Sequence, residues 1–304
     1  MNPLIPSILQ QLNTIILGKE HQLKLALSCL LARGHLLIED LPGVGKTTLS
    51  HALATTLGLQ YSRIQFTSDL LPADILGSAV YQRESGEFHF HPGPIFAQLI
   101  LADEVNRATP KTQSALLEAM EEYQVSIEGE TRPLPEPFFV IATQNPSFQV
   151  GTFPLPESQL DRFLMRIELG YPDAKAERQL LAGESRQQRL ASLNSVLDQP
   201  QLLVLQKQVS EVRASDALLD YLQALLSFSR EAPYFVNGLS PRCGLGLLQA
   251  AKAWAFVDGR DYLLPEDIQQ VLPHVAGHRL SASQQDQALD SANISQLFNE
   301  VAIP

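Results

Sequence analysis

Two short segments constrain this chain more than anything else in it. Leu36-Leu37-Ile38-Glu39-Asp40-Leu41-Pro42-Gly43-Val44-Gly45-Lys46-Thr47-Thr48 runs from an apolar stretch through a glycine-bearing loop into a helix start. Further on, Leu99-Ile100-Leu101-Ala102-Asp103-Glu104 is an apolar stretch that ends in two acids. The first reads as buried strand, loop and helix; the second reads as a buried strand with carboxylates at its exit. Together they have the form of the two halves of a nucleoside-triphosphate site.

The chemistry requires these residue types. A triphosphate needs backbone N–H groups converging on its oxygens, so side chains must be absent where the chain wraps it. Gly43 and Gly45 permit that approach. Lys46 supplies a point charge to the outer phosphates, and the Thr47 hydroxyl can hold Mg²⁺. The helix expected from Thr47 to about Leu57 places its positive end at the phosphates. On the second strand, Asp103 would bind Mg²⁺ directly or through water. Glu104 would polarise the attacking water, which marks a hydrolase more than a static binder. One departure stands out: the full P-loop pattern asks for glycine six residues before the lysine, and here that place is Asp40.

The chain of 304 residues is 45% hydrophobic, enough for one large domain or two smaller ones. No apolar run approaches the ~18 residues needed to span a membrane. The segment Met1-Asn2-Pro3-Leu4-Ile5-Pro6 has no basic region before its apolar residues, so a signal peptide is not expected. Cys29 and Cys243 are the two cysteines; they read as small core residues in a reducing cytoplasm. Net charge is −11 and the pI is about 5.1. With no basic run to offset it, that charge argues against nucleic acid as a partner.

Leu23, Ala26, Leu27 and Leu30 recur at helical spacing, predicting a helix over 19–33 after the turn Leu17-Gly18-Lys19-Glu20. Five apolar runs read as strands: His35–Ile38, Tyr61–Phe66, Gln98–Ala102, Phe138–Thr143 and Phe163–Glu168. Near-continuous apolar strands alternating with helices predict a parallel sheet covered on both faces. Thr109 and Pro110 mark the N-cap and first position of a helix. Its core stripe is Leu116, Leu117 and Met120, with Glu118, Glu121 and Glu122 on a solvated face. Two hairpins are expected within 79–90, around Ser85-Gly86, and within 124–138, around Glu128-Gly129-Glu130. Each is a candidate working loop. After Tyr171-Pro172 helical periodicity dominates, through Leu202/Leu203/Leu205/Val209, Leu218/Leu219/Leu222/Leu225/Leu226 and Leu245/Leu247/Leu248/Ala251/Trp254. Ser281–Gln287 is polar and reads as loosely ordered; Ile294–Val301 reads as a short docking helix.

These residues resemble an AAA+ ATPase, and more closely the MoxR family. The stretches that carry the resemblance are Ile16-Leu17-Gly18, Gly34 to Asp40, Pro42 to Thr47, Leu101 to Ala108, Ala142-Thr143-Gln144-Asn145-Pro146 and Leu160-Asp161-Arg162-Phe163. Leu239-Ser240-Pro241-Arg242, Gly259-Arg260-Asp261-Tyr262 and Pro265-Glu266-Asp267 add to it, and it covers about residues 8–280. Asp40 is tolerable within such a family. The resemblance implies an α/β class: an AAA+ P-loop parallel-sheet domain (1–172, with both hairpins as insertions) followed by a smaller all-α lid (173–304).

It also implies roles. ATP and Mg²⁺ would be bound by Pro42, Gly43, Val44, Gly45, Lys46, Thr47 and Thr48, with Thr47 and Asp103 on the metal and Ile16 and Leu17 against the adenine. Glu104 would be catalytic. Asn145 matches the sensor-1 position, Arg162 the arginine finger directed at a neighbouring subunit, and Arg242 the sensor-2 arginine. Simpler readings stand beside these: Asn145 closing a turn before proline, Arg162 paired with Asp161 on the surface, Arg242 capping a helix. Arg166 is a second candidate finger, and Asn106 and Arg107 could shape either the site or a subunit boundary. The implied function is Mg-dependent ATP hydrolysis by a homo-hexamer that remodels or matures a protein client. Such a client could be a separate von Willebrand factor A domain protein, with no nucleic acid, no membrane insertion and a cytoplasmic location. The alternatives are a chelatase-type motor subunit for metal insertion and a nucleotide-gated binding module with little turnover.

Overall fold

The structure, a computed structural model, describes residues 2–84, 86–145, 151–183, 186–283 and 290–303. Helices α1 (Leu4–Ile15) and α2 (Glu20–Leu31) lead into strand β1 (His35–Glu39). Helix α3 (Lys46–Thr56), β2 (Tyr61–Gln65), α4 (Pro72–Leu76) and the strand pair β3 (Gly77–Gln82) and β4 (Glu87–Pro92) follow. Next come β5 (Leu99–Asp103), a 3₁₀ turn at Val105–Arg107 and α5 (Pro110–Glu122). A second pair, β6 (Gln124–Ile127) and β7 (Glu130–Pro133), precedes β8 (Phe139–Gln144), α6 (Glu157–Leu160) and β9 (Phe163–Ile167). Beyond β9 every named element is helical: α7 (Ala174–Ala182), α8 (Arg186–Ala191), α9 (Gln199–Ser210), α10 (Asp216–Glu231), α11 (Pro241–Val257), α12 (Pro265–Ala276) and α13 (Ser291–Phe298).

The five expected strands form one parallel sheet in the order β2-β5-β8-β1-β9. Alternate side chains of each strand reach opposite faces. Leu36 and Ile38 enter one apolar cluster, and Leu37 enters the other. Both faces are therefore dry around the central strands, which is why β1, β5 and β8 carry near-continuous apolar runs. The edge strand β2 instead alternates, with Arg63 and Gln65 exposed. Helices α4 and α5 cover one face; α1, α2 and α3 cover the other, and that cluster continues without a break into α9–α13. Truncating a buried leucine such as Leu37 to alanine would cost about 2–5 kcal/mol.

His35 is fixed inside this core. Its Nδ1 accepts from the Val140 N–H at 3.0 Å, so Nε2 carries the proton and donates to Met120 O at 3.1 Å. The ring joins β1, β8 and α5, and burial holds it neutral, with its pKa lowered to about 4.

Both hairpins form where expected, β3 with β4 and β6 with β7; Ser85 lies outside the described residues. The guanidinium of Arg132 on β7 sits over the ring of Phe90 on β4, 4.1 Å from its centroid. Thr109 is the N-cap residue of α5, though its hydroxyl meets Thr112 Oγ1 rather than the helix backbone. Cys29 and Cys243 are buried free thiols. Two expected stripe residues face solvent: Leu219 and Leu245. Each stands next to a position that is buried, and one step rotates about 100° around the helix. α13 docks through Ile294 and Phe298. Within Ser281–Gln287, residues 284–287 lie outside the described residues. No helix among the described residues is long and apolar enough to cross a membrane.

Candidate nucleotide site

Strand order decides which residues meet. Because β8 lies between β5 and β1, its exit sits between the paired acids and the glycine loop. Ligand crevices in such sheets open outside the carboxyl ends of the strands. Here the ends of three adjacent strands converge on a cleft of about 240 Å³, lined by Pro42, Gly43, Gly45, Lys46, Thr47, Asp103, Glu104 and Asn145. A larger cavity of about 470 Å³ lies at the opposite ends of β1 and β8, between Arg33, Tyr123 and Phe138.

Gly43 and Gly45 have φ of 88° and 105°, and a Cβ on either would meet nothing within 4 Å. The loop is thus open on the side a phosphate would occupy, and α3 begins at its end. Lys46 is buried; Nζ donates to Asp40 O at 2.6 Å and to Asn145 Oδ1 at 3.2 Å. Burial lowers its pKa, opposed by the carboxylates of Asp40, Asp103 and Glu104. Thr48 is buried, and Val44 packs on the core.

Asp40, standing where the pattern expects glycine, has its own structural task. Oδ1 accepts from the Leu41 N–H at 2.7 Å, and Oδ2 from the N–H groups of Leu169 and Gly170 at 2.7 and 2.6 Å. The carboxylate ties the start of the loop to the segment leaving β9.

The two acids are cross-braced. Thr143 Oγ1 donates to Asp103 Oδ1 at 2.6 Å and accepts from the Glu104 N–H at 2.9 Å. Arg63 on β2 donates to Asp103 Oδ2 from Nη2 at 2.7 Å and from Nε at 3.2 Å. Glu104 adopts φ 57° and ψ 48°, a left-handed backbone rare outside glycine. Its Oε1 accepts from Asn145 Nδ2 at 3.1 Å; its Oε2 accepts from Gln65 Nε2 at 3.1 Å and Arg107 Nη1 at 2.9 Å. Asn106 is buried and donates to Asn145 O at 3.1 Å. Asn106 and Arg107 therefore both touch this site.

Residues 35–165 match the family model described as the ATPase family associated with various cellular activities (AAA), and residues 227–297 match the AAA lid domain. A crystal structure of an ATPase candidate from Cytophaga hutchinsonii superposes with a TM-score of 0.88 at 36% identity, covering 98% of this chain and 94% of that one. The uncharacterized protein YeaC of Bacillus subtilis is 44% identical over 92% of this chain and 88% of its own. Chaperone MoxR1 of Mycobacterium tuberculosis is 39% identical over 97% of this chain and 81% of its own. The chain belongs to the MoxR family of AAA+ ATPases.

A divalent cation, which the AAA+ fold implies, suits this MoxR-family donor set. Thr47 and Asp103 line the same open cleft, and Mg²⁺ commonly takes one or two protein oxygens together with phosphates and waters. Asp103 keeps one lone-pair site on Oδ1 beyond the bonds it already accepts.

Not every expected MoxR-type site residue lies in the cleft. Ile16 is in the core and Leu17 is half-buried; neither lines the cleft. Arg162 and Arg242 are also outside it. Both meet one carboxylate, Glu121 at the end of α5: Arg162 Nη1 lies 2.8 Å from Oε2 and Arg242 Nη1 3.1 Å from Oε1. Glu118 and Glu122 are exposed as expected, whereas Glu121, though exposed, holds these two cations. Asp161 pairs with Arg279 at 2.6 Å, not with Arg162. Ser240, not Arg242, caps α11. Arg166 pairs with Glu39 at 3.1 Å.

Sequence reasoning missed Arg63, Gln65, Thr143 and Glu121. The polar alternation of Arg63 and Gln65 on β2 was a signal, since it puts both on one face. Its meaning depends on β2 lying beside β5, which local pattern does not reveal.

Proposed function

We propose that this chain is a Mg²⁺-dependent ATP phosphohydrolase that works as a homo-hexamer and remodels or matures a protein partner. The observation that carries the reading is the convergence of Lys46, Asp103, Glu104 and Asn145 on one cleft beside an open glycine loop. In this reading the loop N–H groups and Lys46 hold the phosphates of ATP. Thr47 and Asp103 hold the cation, which supplies charge neutralisation on the phosphate oxygens. Glu104 orients and polarises the attacking water, and Asn145 fixes the Glu104 carboxylate by hydrogen bonding. Ile16 and Leu17 take the adenine side by family likeness. The division into residues 1–172 and 173–304 belongs to the same proposal; it is supported by the absence of named strands after Ile167 among the described residues.

Arg162 and Arg242 lie outside the cleft of their own chain and share Glu121. This supports their delivery, side by side, to the γ-phosphate of a neighbouring subunit. A guanidinium supplied by a partner in this way is worth about 10³–10⁵ in rate. The chaperone name of the MoxR1 relative supports a protein client. A separate von Willebrand factor A domain protein is the proposed class of client, and the cytoplasm the proposed location.

Phosphate release from Mg-ATP tests the reading. The wild-type chain should turn over and stop when EDTA removes the cation. Glu104→Gln should still bind ATP while losing about 10²–10⁴ in rate, the range for a general base. Wild-type turnover by Glu104→Gln would contradict the assignment.

A further inference from the structure

We propose that Glu121 is a positioning residue that holds Arg162 and Arg242 as a pair for use on a neighbouring subunit's ATP. The proposal rests on the shared site above.

Two guanidiniums placed close together repel each other, so their proximity needs an explanation. Glu121 supplies it by giving one oxygen to each: Oε2 to Arg162 and Oε1 to Arg242. The two cations come from distant parts of the chain, one from the loop before β9 and the other from the first turn of α11. The carboxylate comes from a third element, the last residues of α5. The cluster keeps an excess of one positive charge, as a site for an anion requires.

The tether leaves each arginine usable. Arg162 is held through Nη1, which also donates to Leu117 O, and Arg242 is held through Nη1 alone. The remaining N–H groups of both have no hydrogen-bond partner among the described residues, and each fork carries five donors. Arg242 is more than half exposed and Arg162 about a quarter. Exposed ion pairs contribute little to stability, so the role of this cluster is in geometry. Holding two cations near their working positions removes rotamer freedom and mutual repulsion from the barrier.

The opposite end of α5 is built into the chain's own nucleotide site. Gln113 Nε2 donates to Val105 O and Ala108 O, both at 3.2 Å, in the turn after Glu104. One helix therefore connects the acids of one site with the arginines offered to the next.

Subunit mixing tests the proposal. An acceptor chain, Arg162→Ala/Arg242→Ala, keeps its nucleotide residues but cannot donate. A donor chain, Lys46→Ala, can donate but holds ATP only weakly, so the assay is run at an ATP concentration that fills the acceptor's sites and leaves the donor's largely empty. Mixed, they should recover phosphate release. Glu121→Gln is then placed in one partner at a time. Carried by the donor, it should lower the recovered kcat at least about fivefold with little change in KM for ATP. Carried by the acceptor, whose arginines are gone, it should cost less than about twofold, because Glu121 has nothing there to position. Glu121→Asp in the donor should restore part of the rate, and melting curves confirm that each variant folds. An equal loss from both placements marks a structural role and overturns the proposal. No loss from the donor, or a gain, which would make Glu121 a brake, also overturns it. If mixing recovers nothing before Glu121 is changed, the shared site itself fails and the role of Glu121 fails with it.

Discussion

Asn145 Nδ2 donates to Oε1 of Glu104 at 3.1 Å. The two residues end neighbouring strands, and the same asparagine accepts from Lys46 through Oδ1. One side chain thus touches both the phosphate-side lysine and the water-side acid. Asn145→Ala should lower kcat about ten- to a hundredfold, the rate equivalent of one hydrogen bond to a charged group. ATP affinity should change only a few-fold. Equilibrium nucleotide binding and steady-state phosphate release on the same preparation separate the two effects, and unchanged turnover would leave Asn145 as a turn residue.

Lys46→Ala should act earlier, on binding. It removes a buried ammonium that the structure aims along the cleft between Asp40 O and Asn145. Titration with a fluorescent ATP analogue should show affinity weakened by about tenfold or more, as expected for losing a charge-assisted contact. Wild-type affinity would contradict the placement of the phosphates.

Asp40→Gly would restore the glycine of the full P-loop pattern, yet it should weaken the protein. The change strips the acceptor from three backbone N–H groups. A loss of about 2–4 kcal/mol is expected, since hydrogen bonds to a charged group contribute about 1.5–3 kcal/mol each and solvent recovers part of it. Urea unfolding measures it. A more stable or tighter-binding variant would show that the carboxylate has no such task.

Acid should destabilise the fold through buried histidines. Burial lowers His35 and His274 to about 4, and His278 lies well below its ordinary value for the same reason. Between about pH 6.5 and pH 4 the unfolded chain binds protons that the folded chain does not, so stability falls as pH falls. The contribution is complete above about 6.5 and lost near 4. At about 1.4 kcal/mol per unit, each of His35 and His274 accounts for up to about 3 kcal/mol. Melting temperature measured across that window should drop, and the drop should shrink in His35→Gln. A flat profile would contradict the buried neutral rings.

Much of this was legible in the chain because its signals are local. The five sheet strands lie within about a residue of the segments read as strands. The signal is sharpest in the central strands β1, β5 and β8, whose near-continuous apolar runs follow from burial on both faces. The glycines, Lys46 and the acid pair are recognisable because the chemistry demands those residue types at the strand exits. Partners chosen by topology were not legible. Arg63 reaches Asp103 because β2 pairs with β5, and Glu121 meets Arg162 and Arg242 only once β9 and α11 have packed near the end of α5. The side chain of Asp40 likewise gained its meaning from Leu169 and Gly170, far along the chain.

The central claim is a catalytic site completed by a neighbouring subunit, and phosphate release per subunit across a dilution series tests it most directly. Turnover should rise with protein concentration as subunits assemble, and Arg162→Ala should remove most of that rise while ATP binding persists. A dilute chain shown to be monomeric, turning over at the same rate as the concentrated protein and unaffected by Arg162→Ala, would contradict it.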